Sequence, residues 1–220
     1  MNNHGSKTPI RSLQYPATVL AIAGPSCSGK STLVHALEAH WGFHNVATLP
    51  IDAYYRDQSH RPFEKRLTCN FDSPDAIDWS LLTTHLQQIR AGNTIDRPVY
   101  DYATHTRTSN HIILQPRPVL IVEGIFALWS EDIRKLAAIR AYIDLPLEDC
   151  LARRIARDGR ERARTEAQVR EQFTRFVQPM AEQFVIPTRK FADVVVQGDA
   201  PVEDSSRRIL NFLGQRQAQT

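Results

Sequence analysis

Gly24-Pro25-Ser26-Cys27-Ser28-Gly29-Lys30-Ser31-Thr32 is the stretch that decides the fold. It satisfies G-x4-G-K-[ST], with Gly24, Gly29, Lys30 and Ser31 at the specified positions. The apolar run at 19–23 before it has the pattern of a buried strand, and Leu33, Val34 and Leu37 after it have helical spacing. The chemistry requires this order. Glycines let the backbone curl until its N–H groups point at phosphate oxygens. The helix that follows adds the positive end of its dipole. Lys30 then reaches the β- and γ-phosphates, and the Ser31 hydroxyl is a ligand for Mg²⁺. The motif predicts binding of a nucleoside triphosphate through Gly24, Pro25, Ser26, Cys27, Ser28, Gly29, Lys30, Ser31 and Thr32.

Working outward, short apolar runs recur at 46–51, 119–122, 142–145 and 194–196. They are near-continuous rather than alternating, as in strands buried on both faces of a parallel sheet. Helix-period segments lie between most of them. Leu82, Leu86 and Ile89 form one stripe, and Leu147, Leu151 and Ile155 another, with Pro146 suited to the first helical position. Phe173, Phe176, Val177 and Met180 form a third. The alternation predicts an α/β fold: a parallel sheet of P-loop type flanked by helices. Residues 93–117 break the rhythm and read as a small antiparallel hairpin inserted in that scaffold. His40 and His44 flank Gly42 and read as loop residues rather than metal ligands.

Two carboxylates fall at strand ends. Glu123 closes the run at 119–122, where an acidic residue can hold the Mg²⁺ shell. Asp52 closes the run at 46–51, at the carboxyl edge where open α/β sheets bind ligands.

The 220 residues fit about one domain, read here as 17–220 after a disordered lead-in at 1–16. A hydrophobic fraction of 42 % and a charged fraction of 23 % are those of a globular protein. No apolar stretch approaches a membrane span, and the N-terminus lacks the apolar core of a secretory signal. Cys27, Cys69 and Cys150 give no disulfide framework or zinc spacing, so a reducing cytoplasm is the expected home. The net charge is +3, but six arginines against Asp158 and Glu161 give residues 151–164 a net +4, which leaves −1 for the rest. Basicity confined to one segment suits a phosphate site better than a nucleic-acid face, so neither nucleic acid nor membrane is an expected partner.

The order of motifs resembles the uridine kinase (uridine–cytidine kinase) family of P-loop nucleoside kinases. Besides the phosphate loop, the matching segments are Ile51-Asp52-Ala53-Tyr54-Tyr55-Arg56, Asn70-Phe71-Asp72-Ser73-Pro74-Asp75-Ala76-Ile77-Asp78, and Pro98-Val99-Tyr100-Asp101-Tyr102 with His105 and Arg107. Further along come Val122-Glu123-Gly124-Ile125, Arg153-Arg154-Ile155-Ala156-Arg157-Asp158, Glu161-Arg162-Ala163-Arg164 and Pro187-Thr188-Arg189-Lys190-Phe191-Ala192-Asp193. The resemblance covers roughly residues 18–199 and implies roles. Asp52 is implied as catalytic base and Mg²⁺-shell carboxylate, and Asp72 as the partner of the ribose hydroxyls. Tyr55, Phe71, Tyr100 and His105 are implied around the pyrimidine base, and Arg154, Arg164 and Gln172 on the substrate side. Lys30, Arg157 and Arg162 are implied as the cations of catalysis, the last two on a lid at about 153–165, and Asp199 as a contact of the ATP adenosine. ATP or GTP as phosphoryl donor, Mg²⁺, a nucleoside substrate and a homo-oligomer, a tetramer in the family, are implied too. Ala163, Tyr102 and Ala53 stand where the family commonly has glycine, phenylalanine and serine, and bear on lid flexibility and base preference. Tyr54 reads equally as a core residue. Two rivals remain open at this point: a kinase of another alcohol, like phosphoribulokinase or pantothenate kinase, and a nucleotide-binding regulatory protein.

Overall fold

The computed structural model describes residues 16–217; apart from Pro16, the lead-in expected at 1–16 lies outside them. The chain runs β1 (Thr18–Ala23), α1 (Lys30–Trp41), β2 (Val46–Pro50), the short turn α2 (Phe63–Arg66) and α3 (Trp79–Arg90). The hairpin β3 (Ile95–Asp101) and β4 (Thr106–Leu114) follows, then β5 (Val119–Glu123), α4 (Glu131–Leu136), β6 (Ile139–Asp144) and α5 (Leu147–Glu161). The last elements are α6 (Glu166–Gln172), α7 (Gln178–Met180), β7 (Val194–Gln197) and α8 (Val202–Gln217).

Five strands form one parallel sheet in the order β2-β5-β1-β6-β7, while β3 and β4 pair only with each other, antiparallel. The near-continuous apolar runs have the expected cause. Along β1, Leu20 and Ile22 face a core with α1 and α8, whereas Val19, Ala21 and Ala23 face a second core with α3 and α4. Both faces are covered, so both sets of alternating side chains are apolar. Four sheet strands match their runs to within a residue at each end, β6 begins three residues before its run and ends before Leu145, and the insertion at 93–117 holds the β3–β4 hairpin. No helix among the described residues is long and apolar enough to cross a membrane.

Two readings need correction, and one helix buries a face its apolar spacing does not mark. His40 lies in the last turn of α1, because the helix continues to Trp41 before Gly42 (φ 85) ends it; only His44 is outside. Pro146 is the residue before the first helical one of α5, not the first. The face α5 buries is Cys150, Arg154 and Asp158, while Leu147, Leu151 and Ile155 are only half-buried. Arg154 and Asp158 pair with each other on that face, and at 3.6 residues per turn they fall within about 20° of Leu147, so the buried face is rotated only about 60° from the middle of the apolar stripe.

The third stripe is a longer pattern than expected. Val169, Phe173, Val177, Ala181 and Val185 are all buried at a strict spacing of four, and Phe176 and Met180 are half-buried beside them. In a regular α-helix a step of four drifts about 40° around the axis. Two π-helical turns, at Phe173–Val177 and Ala181–Val185, widen the helix and keep the row facing the core.

Candidate active site

The phosphate loop leaves β1 through Gly24, at φ 152; a Cβ there would lie 2.6 Å from the Ile143 carbonyl oxygen. Gly29 takes φ 106 immediately before α1 and offers no side-chain cap, so the first N–H groups of the helix remain open to an anion. The Lys30 ammonium donates to the carbonyls of Gly24 (3.0 Å) and Pro25 (2.7 Å), which fixes it inside the loop. Burial lowers its pKa, and Glu123 acts against that.

A cleft of about 410 Å³ opens over this loop at the carboxyl edge of the sheet. Ser26, Cys27, Gly29, Lys30, Ser31 and Thr32 line one side of it. Asp52, on a tight turn after β2, and Glu123, at the end of β5, form its floor. Burial pushes the Glu123 carboxyl up to about 7; Asp52 pushes the same way and Lys30 opposes both. Two repelling carboxylates and the Ser31 hydroxyl make an all-oxygen set of the kind a hard divalent cation takes.

The opposite wall is aromatic. Tyr55 lies 5.0 Å from Tyr100 and 5.2 Å from Phe71 between ring centres, and His105 stacks on Phe71 at 5.3 Å. His105, at φ 53, turns the hairpin tip. Burial and the guanidinium groups of Arg164 and Arg162 lower its pKa, so it is a neutral ring at neutral pH. The hairpin is pinned by Arg107, which donates to the carbonyls of Tyr55 (2.7 Å) and Tyr54 (3.1 Å) and to Asp78 (3.2 Å). Tyr54 itself is fully buried, with its hydroxyl 3.1 Å from His85, and belongs to the core. Asp72 faces the cleft; burial raises its pKa while Arg154 and Arg157 pull it down.

Arg154, Arg157, Arg162, Arg164 and Gln172 close the roof. Arg154 donates to the Ser26 hydroxyl (3.1 Å), and both Arg154 (3.2 Å) and Arg164 (2.9 Å) donate to the Gln172 side-chain oxygen. Of the residues expected from sequence, Gly24, Pro25, Ser28 and Asp199 are not on the cleft wall. The first three shape the loop from behind. Asp199 is exposed on the turn after β7, next to Gly198, where a Cβ would lie 2.6 Å from the Ser28 carbonyl oxygen.

The wall also holds residues not singled out as ligands: Tyr102, Arg153, Ile77, Ile125 and Phe126. The apolar ones carry no signal in a single sequence, since they read as core. Tyr102 was legible through its departure from the family's phenylalanine; burial, then Asp52, holds its phenol protonated.

A phosphate loop facing a polar and aromatic pocket across one cleft defines a P-loop kinase that acts on a small molecule. A family model described as phosphoribulokinase / uridine kinase matches residues 19–204, and the chain belongs to that family. It is 43 % identical over 186 residues to a uridine kinase of Proteus mirabilis, covering 83 % of this chain and 87 % of the relative. To a uridine kinase of Geobacillus kaustophilus it is 44 % identical over 178 residues, covering 81 % and 84 %. In fold it is like the D-glycerate 3-kinase of Cryptococcus neoformans, with a TM-score of 0.62 at 18 % identity over 84 % of this chain and 88 % of that one.

Proposed function

We propose that the protein transfers the γ-phosphoryl group of ATP to the 5′-hydroxyl of uridine or cytidine. The observation that carries this reading is the shared cleft, in which the phosphate loop faces Asp52, Asp72 and the aromatic wall of Tyr55, Phe71, Tyr100 and His105. An aromatic slot with a neutral histidine at its edge suits a planar base that offers hydrogen-bonding groups. Asp72 can accept hydrogen bonds from ribose hydroxyls. Relatives of this chain at 43 % and 44 % identity bear the name uridine kinase, and no observation favours another alcohol or a regulatory role.

In this reading the loop N–H groups and Lys30 hold the triphosphate. Asp52 accepts the proton of the 5′-hydroxyl, whose oxygen attacks the γ-phosphorus as the bond to the ADP oxygen breaks. Arg157 and Arg162 neutralise the charge that develops, and the roof excludes water. Ser31, Glu123 and Asp52 are the oxygens that would hold Mg²⁺, which supplies charge neutralisation on the phosphates when bound. Asp199 is proposed at the adenosine end, and GTP as an alternative donor. A cytoplasmic homo-oligomer, a tetramer by the family resemblance, completes the reading; light scattering after gel filtration tests its size.

Coupled ADP release with ATP and Mg²⁺ tests the activity over a panel of nucleosides, ribulose 5-phosphate and pantothenate. Turnover of uridine or cytidine, reduced about 10²–10⁴-fold in Asp52→Asn, is the expected result. Turnover of a non-nucleoside alcohol alone would overturn the substrate, and no turnover at all despite ATP binding would overturn the kinase reading.

A further inference from the structure

Asp158 is completely buried in α5, and it is surrounded by guanidinium groups. Arg157 donates from Nε to Oδ1 of its carboxylate at 2.9 Å, and its Nη2 forms an ion pair with the same oxygen at 2.8 Å. Arg164 approaches Oδ2 at 3.3 Å, Arg162 lies 3.7 Å from Oδ1, and Arg154 lies 3.8 Å from Oδ2. The Asp158 backbone carbonyl also accepts from the N–H groups of Arg162 (3.0 Å) and Arg164 (3.2 Å). Between those two, Ala163 takes φ 52 and reverses the chain. One residue therefore holds the lid arginines by its side chain and the turn that carries two of them by its backbone.

All four arginines line the cleft. A guanidinium has five donor hydrogens; the carboxylate uses at most two of each, Ser26 and Gln172 take one each from Arg154 and Gln172 one from Arg164, and donors remain on every arginine for an anion. Four cations against one carboxylate give a surplus of three positive charges. Without the carboxylate they repel one another. Burial opposes the ionised form of Asp158, but its arginine partners outweigh burial and keep it below the ordinary carboxylate range.

We propose that Asp158 is a positioning residue for phosphoryl transfer, holding Arg154, Arg157, Arg162 and Arg164 as a preassembled cationic cup for the terminal phosphate. This rests on the kinase reading above. Charge already in place costs no reorganisation at the moment of reaction, whereas separately mobile arginines must be gathered each time.

The test compares wild type, Asp158→Asn and Asp158→Glu in steady-state kinetics with ATP and uridine, and in binding of fluorescent N-methylanthraniloyl ATP and ADP. Urea unfolding of each variant normalises activity to folded protein. For Asp158→Asn, kcat is expected to fall about 100-fold per folded molecule, the typical effect of losing a preorganised donor. Affinity for the ATP probe is expected to fall about 10-fold and for the ADP probe less than threefold, because the cup addresses the terminal phosphate. A purely structural role would lower the folded fraction and move both probes together; that result, or a kcat within threefold of wild type, overturns the proposal.

Asp158→Glu keeps the charge and moves it by one methylene, so it serves if the asparagine variant does not fold. In it, a larger loss for the ATP probe than for the ADP probe is expected wherever kcat falls, and an equal loss for both probes would overturn the proposal. If wild type phosphorylates a different alcohol, the kinetics are run with that alcohol. If it phosphorylates none, the ATP-to-ADP probe ratio alone decides, so the two readings fail separately.

Discussion

Replacing Glu123 by glutamine is expected to stabilise the protein by an amount that grows from pH 4.5 to about 7 and then levels off. Burial and Asp52 raise the Glu123 carboxyl from 4.5 to about 7. A carboxyl with a raised pKa holds its proton in the folded state over a range where the unfolded chain has released it. Between those two values the native state binds more protons, so stability falls as pH rises. The full difference corresponds to about 3 kcal/mol, reached above pH 7 and absent well below pH 4.5. The wild-type cost is about 1 kcal/mol at pH 5 and about 3 kcal/mol at pH 8 by the same linkage. Glutamine, neutral and nearly isosteric, removes the pH-dependent part. Urea unfolding of both proteins at pH 5 and pH 8, free of nucleotide and Mg²⁺, measures it. A gain of the same size at both pH values, or a loss at pH 8, would refute the account. Adding ADP with Mg²⁺ should shrink the gain, since a cation favours the wild-type carboxylate.

Gly198→Ala places a methyl 2.6 Å from the Ser28 carbonyl and 3.0 Å from Leu145 Cβ, neither free to yield. It should cost about 1–3 kcal/mol in urea unfolding and weaken fluorescent ATP binding, although Gly198 touches no nucleotide in the proposed site. Arg107→Met takes the donor from the Tyr55 carbonyl and one of two donors each from the Tyr54 carbonyl and the Asp78 carboxylate. A loss of about 3 kcal/mol and a raised KM for uridine, with KM for ATP unchanged, are expected. Ala163→Gly relieves left-handed strain of about 1 kcal/mol but adds a similar entropy to the unfolded chain. Calorimetry should therefore find stability little changed.

The parallel sheet was legible because strands buried on both faces leave uninterrupted apolar runs, and the phosphate loop because each of its fixed positions answers a steric or charge demand. Strand order was not, since adjacency of β1 to both β5 and β6 is set by packing across long connections. The buried face of α5 was not legible for a different reason. Apolar spacing marks a core side only where burial is driven by water exclusion, and Arg154 and Asp158 are buried by mutual charge. Asp158 was visible in the arginine-rich motif, yet nothing in a linear string separates a carboxylate on a solvated face from one at the centre of four guanidinium groups. Tyr54 and Tyr55 are neighbours with opposite fates, one in the core and one on the cleft wall, because the turn after β2 sends successive side chains to different sides.

The β3–β4 hairpin pairs with no other strand and presents a largely exposed outer strand. It delivers Tyr100, Tyr102 and His105 to the cleft, while the phosphate loop is built between β1 and α1 of the main body. Under the proposed function, descent with modification can therefore treat part of acceptor choice as a detachable trait: changes at the tip of one ribbon alter its share of the wall, while Tyr55, Phe71 and Asp72 stay with the main body.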